Sequence, residues 1–333
     1  MTTVTSPIDL LNAIPFLIGY QPKDAIVLMA VTEESITMAI RIDFPSELSE
    51  DEVRALICKL EEAKADGVLM VSYIPEDCVD AAGVLAPLAE GLSNQDLPLQ
   101  ESIVVVAGRW RSLMCNDPAC CPIAGSPIPE LVESRIAIEE ITSGRPFPFS
   151  DIAAMYRSLA PLPEDKELQE LIAKVPEIDY QIDPTPDQRA GAEAITDFIH
   201  DFSKQGISRN RELLALVLVR LKDLQVRDFA LGSMRSEDAE LFFSAWRWLM
   251  RLAPKGYVAP PAVLFAVACY ERGDGALANL ALQRAREDQP SYSMVELLSR
   301  VFRSGQPPTL FSELRTELHP RVCAALFSGS MKE

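Results

Sequence analysis

The strongest constraint on the fold is Asp24 to Val31 (DAIVLMAV), a short and almost unbroken apolar run that reads as a buried strand. Pro22 and Lys23 form a turn before it, and Glu33, Glu34 and Ser35 form a polar break after it. Ile36 to Phe44 then alternates as a second strand, so the two are expected to form an antiparallel hairpin. Gly67 to Ile74 and Ser102 to Ala107 supply a third and a fourth strand. Between these lie two helical stretches. The first is capped by Ser49, with Glu50, Asp51 and Glu52 in the dipole-favoured first turn and an apolar face of Val53, Leu56, Ile57 and Leu60. The second runs from Asp80 to Leu92. The order strand, strand, helix, strand, helix, strand predicts an α/β domain with a mixed sheet and helices on at least one face.

Beyond Pro127 the pattern is helical. Ser126 is expected to cap a helix with Pro127 in its first turn, ending at Gly144, and Ser150-Asp151 starts a further short helix. Pro161, Pro163, Pro176, Pro184 and Pro186, set among many acids, mark 161–186 as a linker. Ala266, Gly273, Ala278, Leu282, Ala285 and Pro290 stand at the offsets of a tetratricopeptide repeat, without a second copy 34 residues away in either direction. The expected organisation is therefore an α/β domain over 1–126, a helical connection over 127–160, a Pro-rich acidic linker over 161–186, and an all-α domain over 187–333 with a TPR-like helical hairpin.

Several functions lose their support at this level. A net charge of −18 argues against general nucleic-acid binding, which needs clustered Lys and Arg. No apolar window approaches the roughly 20 residues of a membrane span. Neither GxGxxG nor GxxxxGK[ST] follows a strand, and no GxSxG elbow is present. An odd cysteine count without an export signal points to a reducing cytoplasm. Trp246 and Trp248, with Phe242 and Phe243, read as core aromatics, and Arg227-Asp228 as a salt bridge between helices.

Three of the seven cysteines fall in one turn, Cys115-Asn116-Asp117-Pro118-Ala119-Cys120-Cys121-Pro122. A packed connector is one reading, because free cysteine buries as a small apolar residue and Asn-Asp-Pro is ordinary turn chemistry. Zinc held by Cys115, Cys120 and Cys121 is another, with a fourth ligand from Cys58, Cys78 or a carboxylate. Against it, adjacent side chains at 120 and 121 diverge unless the backbone turns sharply. A reactive thiol is the third reading, and it needs a base or a positive field. The two histidines, His200 and His319, lie in the helical half, which leaves Arg109 and Arg111 as the nearer candidates.

The segment Pro15 to Pro22 followed by Asp24 resembles the opening of the DUF4192 family. So does Arg109-Trp110-Arg111-Ser112 leading into the cysteine turn and Gly125, as do Val226-Arg227-Asp228 and Gly273 to Asn279. The resemblance spans essentially the whole chain. It implies an actinobacterial source but carries over no activity and no catalytic residue. The expected function is an interaction or regulatory module with a protein partner. The alternative is an enzyme with its site at the domain junction, beside the cysteine turn.

Overall fold

A computed structural model describes residues 3–305 and 308–327. The chain forms two compact units, Met1–Met155 and Tyr156–Glu333.

The first unit is built around β1 (Ala25–Thr32), in which every residue from Ala25 to Val31 is buried. It pairs antiparallel with β2 (Ser35–Asp43) on one side and with β3 (Gly67–Tyr73) on the other. β3 runs parallel to β4 (Leu99–Val106), and β5 (Arg109–Ser112) and the two-residue β6 (Ser126–Pro127) extend the sheet antiparallel. The six-stranded order is β2-β1-β3-β4-β5-β6, and the sheet is mixed.

Alternation along β1 feeds two separate cores, as a strand buried on both faces must. Ile26, Leu28 and Ala30 pack with Leu56 and Leu60 of α2 (Glu50–Glu62) and with Leu88 and Leu92 of α3 (Ala81–Asn94). Val27 and Met29 point the other way, into a core with Leu10, Leu11 and Ile14 of α1 (Pro7–Ile18) and with Trp110. Ser49 caps α2 in a full capping box with Glu52, so the expected N-terminus holds.

One element goes beyond the expected set and one departs from it. α1 forms although Asp9, Asn12 and Pro15 interrupt its apolar run. Ser6 caps it, Pro7 occupies the first turn, and Gly19 closes it at φ +83°. The helix expected from Ser126 begins instead as α4 (Arg135–Thr142), because Ser134 supplies the cap to the N–H of Ala137. Ser126-Pro127 is edge strand, where a proline can be tolerated.

Residues 156–327 carry no strand among those described; their helices follow α5 (Ile152–Arg157) and include α7 (Thr185–Gln205), α8 (Arg211–Arg220), α10 (Ala239–Leu252) and α13 (Ser293–Arg303). The Pro-rich segment 161–186 contains α6 (Lys166–Ile172), whose Leu168 and Ile172 are buried. Its tail is tied to buried charges. Arg220 reaches the carbonyl of Pro176 at 2.7 Å and Asp187 at 2.8 Å, and the Asp223 carboxylate accepts from Tyr180 at 2.7 Å and Gln188 at 3.0 Å. Buried charges persist only when paired in this way. α11 (Ala259–Glu271) and α12 (Gly275–Asp288) form a helical hairpin turned at Gly273, φ +81°. Trp246 and Phe242 are core, the Trp246 ring 5.8 Å from that of Phe198, whereas Trp248 and Phe243 are half-buried, packed against Phe198 and Phe265. Arg227 pairs with its own neighbour Asp228 at 2.7 Å within α9 (Leu224–Gly232), which corrects the expected link between helices.

Because β1 serves two cores, damage on its two faces is expected to be independent. Ile26→Val should cost about 0.5–1.5 kcal/mol and Met29→Ala about 2–5 kcal/mol. The double variant should be additive to within about 0.5 kcal/mol in chemical denaturation. A larger coupling would mean that the two faces are not energetically separate.

Candidate metal centre

The cysteine turn joins β5 to β6 at the edge of the sheet. Its first limb is fixed from the strand. The buried Ser112 hydroxyl donates to Glu101 Oε1 at 2.7 Å and accepts the N–H groups of Met114 and Cys115 at 3.1 and 3.2 Å. Glu101 also receives the N–H of Ser102 at 2.8 Å. Cys115 therefore leaves the strand in a set direction.

The second limb is a single tight turn organised by Asp117. Its carboxylate accepts the N–H of Ala119 at 2.9 Å, and its carbonyl accepts those of Cys120 and Cys121 at 3.2 and 2.8 Å. This turn is sharp enough to overcome the divergence expected of neighbouring side chains, and the Cys120 and Cys121 sulfurs lie 4.0 Å apart. Gly125 then closes the loop at φ +69°, where a Cβ would press on the Trp110 carbonyl at 3.1 Å. The Arg109 guanidinium clamps the return by donating to the carbonyls of Ala124 and Gly125.

The Sγ atoms of Cys115, Cys120 and Cys121 all lie within 4.8 Å of one another. Three sulfurs on a tetrahedral zinc, each about 2.3 Å from it, stand about 3.8 Å apart, so closing on a cation needs only small adjustments. Cys120 is exposed, while Cys115 and Cys121 are half-buried, with Cys121 packed against the α1-side core. Such exposure is unlike a thiol buried to fill space. Neither Cys58, exposed on α2, nor Cys78, in the loop after β3, belongs to the group. Among the described residues no carboxylate or imidazole joins it.

The electrostatics run against an activated nucleophile. Hydrogen bonding from Cys121 and Cys115, reinforced by their proximity as charges, pushes the Cys120 thiol up to about 11. A reactive thiol needs the opposite shift. Arg109 directs its Nε and Nη2 donors at backbone carbonyls at the base of the turn.

A second location was not visible in the sequence. His200 and His319, the two histidines of the chain, line one cavity of about 540 Å³ in the helical unit, together with Ser203, Ser233 and Arg235. Gly232 lacks the Cβ that would collide with the His319 ring, which is why α9 and α14 (Pro308–Phe327) approach there. His319 Nε2 lies 3.4 Å from the Cys323 sulfur, one helical turn on. Burial raises the Cys323 thiol, while burial and then Arg315 lower the imidazole. Both shifts favour a neutral pair over thiolate and imidazolium, so this contact is packing.

A mixed α/β sheet bearing a tri-cysteine turn, in a chain whose other unit is helical, defines the class of protein. Residues 7–309 match the family described as "Domain of unknown function (DUF4192)", and the chain belongs to that family. No curated protein and no solved structure matches it. No helix among the described residues is long and apolar enough to cross a membrane.

Because the folded state holds His319 below its usual 6.5, it binds fewer protons than the unfolded chain at acid pH. The stability associated with the neutral ring is present above 6.5 and is lost as pH falls through the folded value. His319→Gln should flatten the fall in Tm on acidification below 6.5, and an unchanged slope would show that His319 does not contribute to it.

Proposed function

We propose that this protein is a metal-binding interaction module in which Cys115, Cys120 and Cys121 hold one zinc-class cation at the edge of the α/β sheet. The observation that carries this reading is the convergence of three sulfurs within 4.8 Å on a turn whose two limbs are independently braced. Thiolates select zinc or a comparably soft ion over calcium or magnesium. The cation offsets the mutual repulsion of three thiolates and locks the turn.

The metal's role is to fix a surface. Leu113, Met114 and Ile123 of the turn are exposed, and a rigid loop that displays apolar side chains suits contact with a protein partner. In the helical unit, the α11–α12 hairpin, with Ala266, Ala278 and Ala285 buried, supports a TPR-like packing role. A reducing cytoplasm is the compartment in which such thiols remain available to metal.

Protein purified without chelator should carry about one zinc per chain by elemental analysis. Cys120→Ser should lose it. Ser112→Ala leaves every sulfur in place but frees the Cys115 limb, and should weaken zinc affinity by about 10–100-fold in chelator competition. Wild-type protein that stays metal-free in the presence of zinc would sink the proposal.

A further inference from the structure

Three sulfurs occupy three of the four positions a zinc-class cation takes. Among the described residues no Cys, His, Asp or Glu donor stands ready for the fourth. The turn itself explains this. The Asp117 carboxylate, the acid within the loop, accepts the N–H of Ala119 and stands outside the group of converging sulfurs, and residues 116–120 are exposed. Cys121 leans on the core while Cys120 faces solvent, so the vertex left over opens outward.

The chemistry of the filled positions decides what suits the open one. Three thiolates on a divalent cation leave a single net negative charge. That damps its power to activate water or to attract hard phosphate and carboxylate oxygens, whereas a sulfur donor matches the softness of the thiolate-selecting metal. Around the same loop Leu113, Met114 and Ile123 are 44%, 53% and 85% exposed and offer carbon contacts to an organic group. We infer that the fourth position binds an exogenous low-molecular-weight thiol and holds it as the thiolate. In that exchange the S–H proton passes to solvent, a sulfur–metal bond forms, and the water or buffer ligand it replaces departs. The inference rests on the zinc-class reading above.

Cobalt(II) on the full-length protein, titrated with 2-mercaptoethanol, tests it. The thiolate-to-cobalt charge-transfer absorption should rise saturably by about one third, as four thiolates replace three, with the metal still on the protein after gel filtration. The methyl thioether of the same alcohol, which has no proton to lose, should leave the band unchanged. Protein that shows no charge-transfer band with cobalt overturns the metal reading itself. Protein that binds cobalt but shows a band insensitive to thiol, an equal response to the thioether, or loss of the metal to the thiol overturns only this inference.

Discussion

Everything in the α/β unit follows from the burial of β1 on both of its faces. A strand with Ile26, Leu28 and Ala30 on one side and Val27 and Met29 on the other cannot sit at an edge or leave one face in water. It must be flanked, and β2 and β3 flank it. It must also be covered twice, which α2 and α3 do on one face and α1 on the other. Residues 7–18 are helical because the second face needs an apolar cover.

The elements legible in the sequence are those whose periodicity is set by one simple environment. β1 to β4 and α2 were readable because alternation or a 3.6-residue period survives along each. α1 was not, since Asn12 and Pro15 look like breakers and yet are buried in the finished helix. Asp9 accepts locally from Thr5, but its ion pair exists only in the fold, which brings Arg135 to its carboxylate at 2.9 Å. β5 and β6 are too short to carry a pattern, and Ser126-Pro127 fits a helix start as well as it fits an edge strand.

The site divides in the same manner. Cysteine density alone pointed to residues 115, 120 and 121, but whether neighbours at 120 and 121 could meet depended on a backbone turn that side-chain types do not specify. The supports were invisible for a different reason. Ser112 acts through Glu101, a residue on the adjacent strand, and that pairing exists only once β4 and β5 are in register. His200 and His319 reach one cavity across 119 positions of chain, a proximity that no local pattern encodes.

The sheet order has a consequence for how the chain assembles. Reading outward from β3, which docks on β1, each strand from β4 to β6 docks on the one that precedes it in sequence, so that edge of the sheet can grow without long-range search. The cysteine turn lies between the last two strands to be laid down. Its sulfurs meet only after the body of the sheet already exists, so a cation arriving there is a late event. Unlike the metal of a zinc finger, it would ratify a structure already built instead of nucleating one.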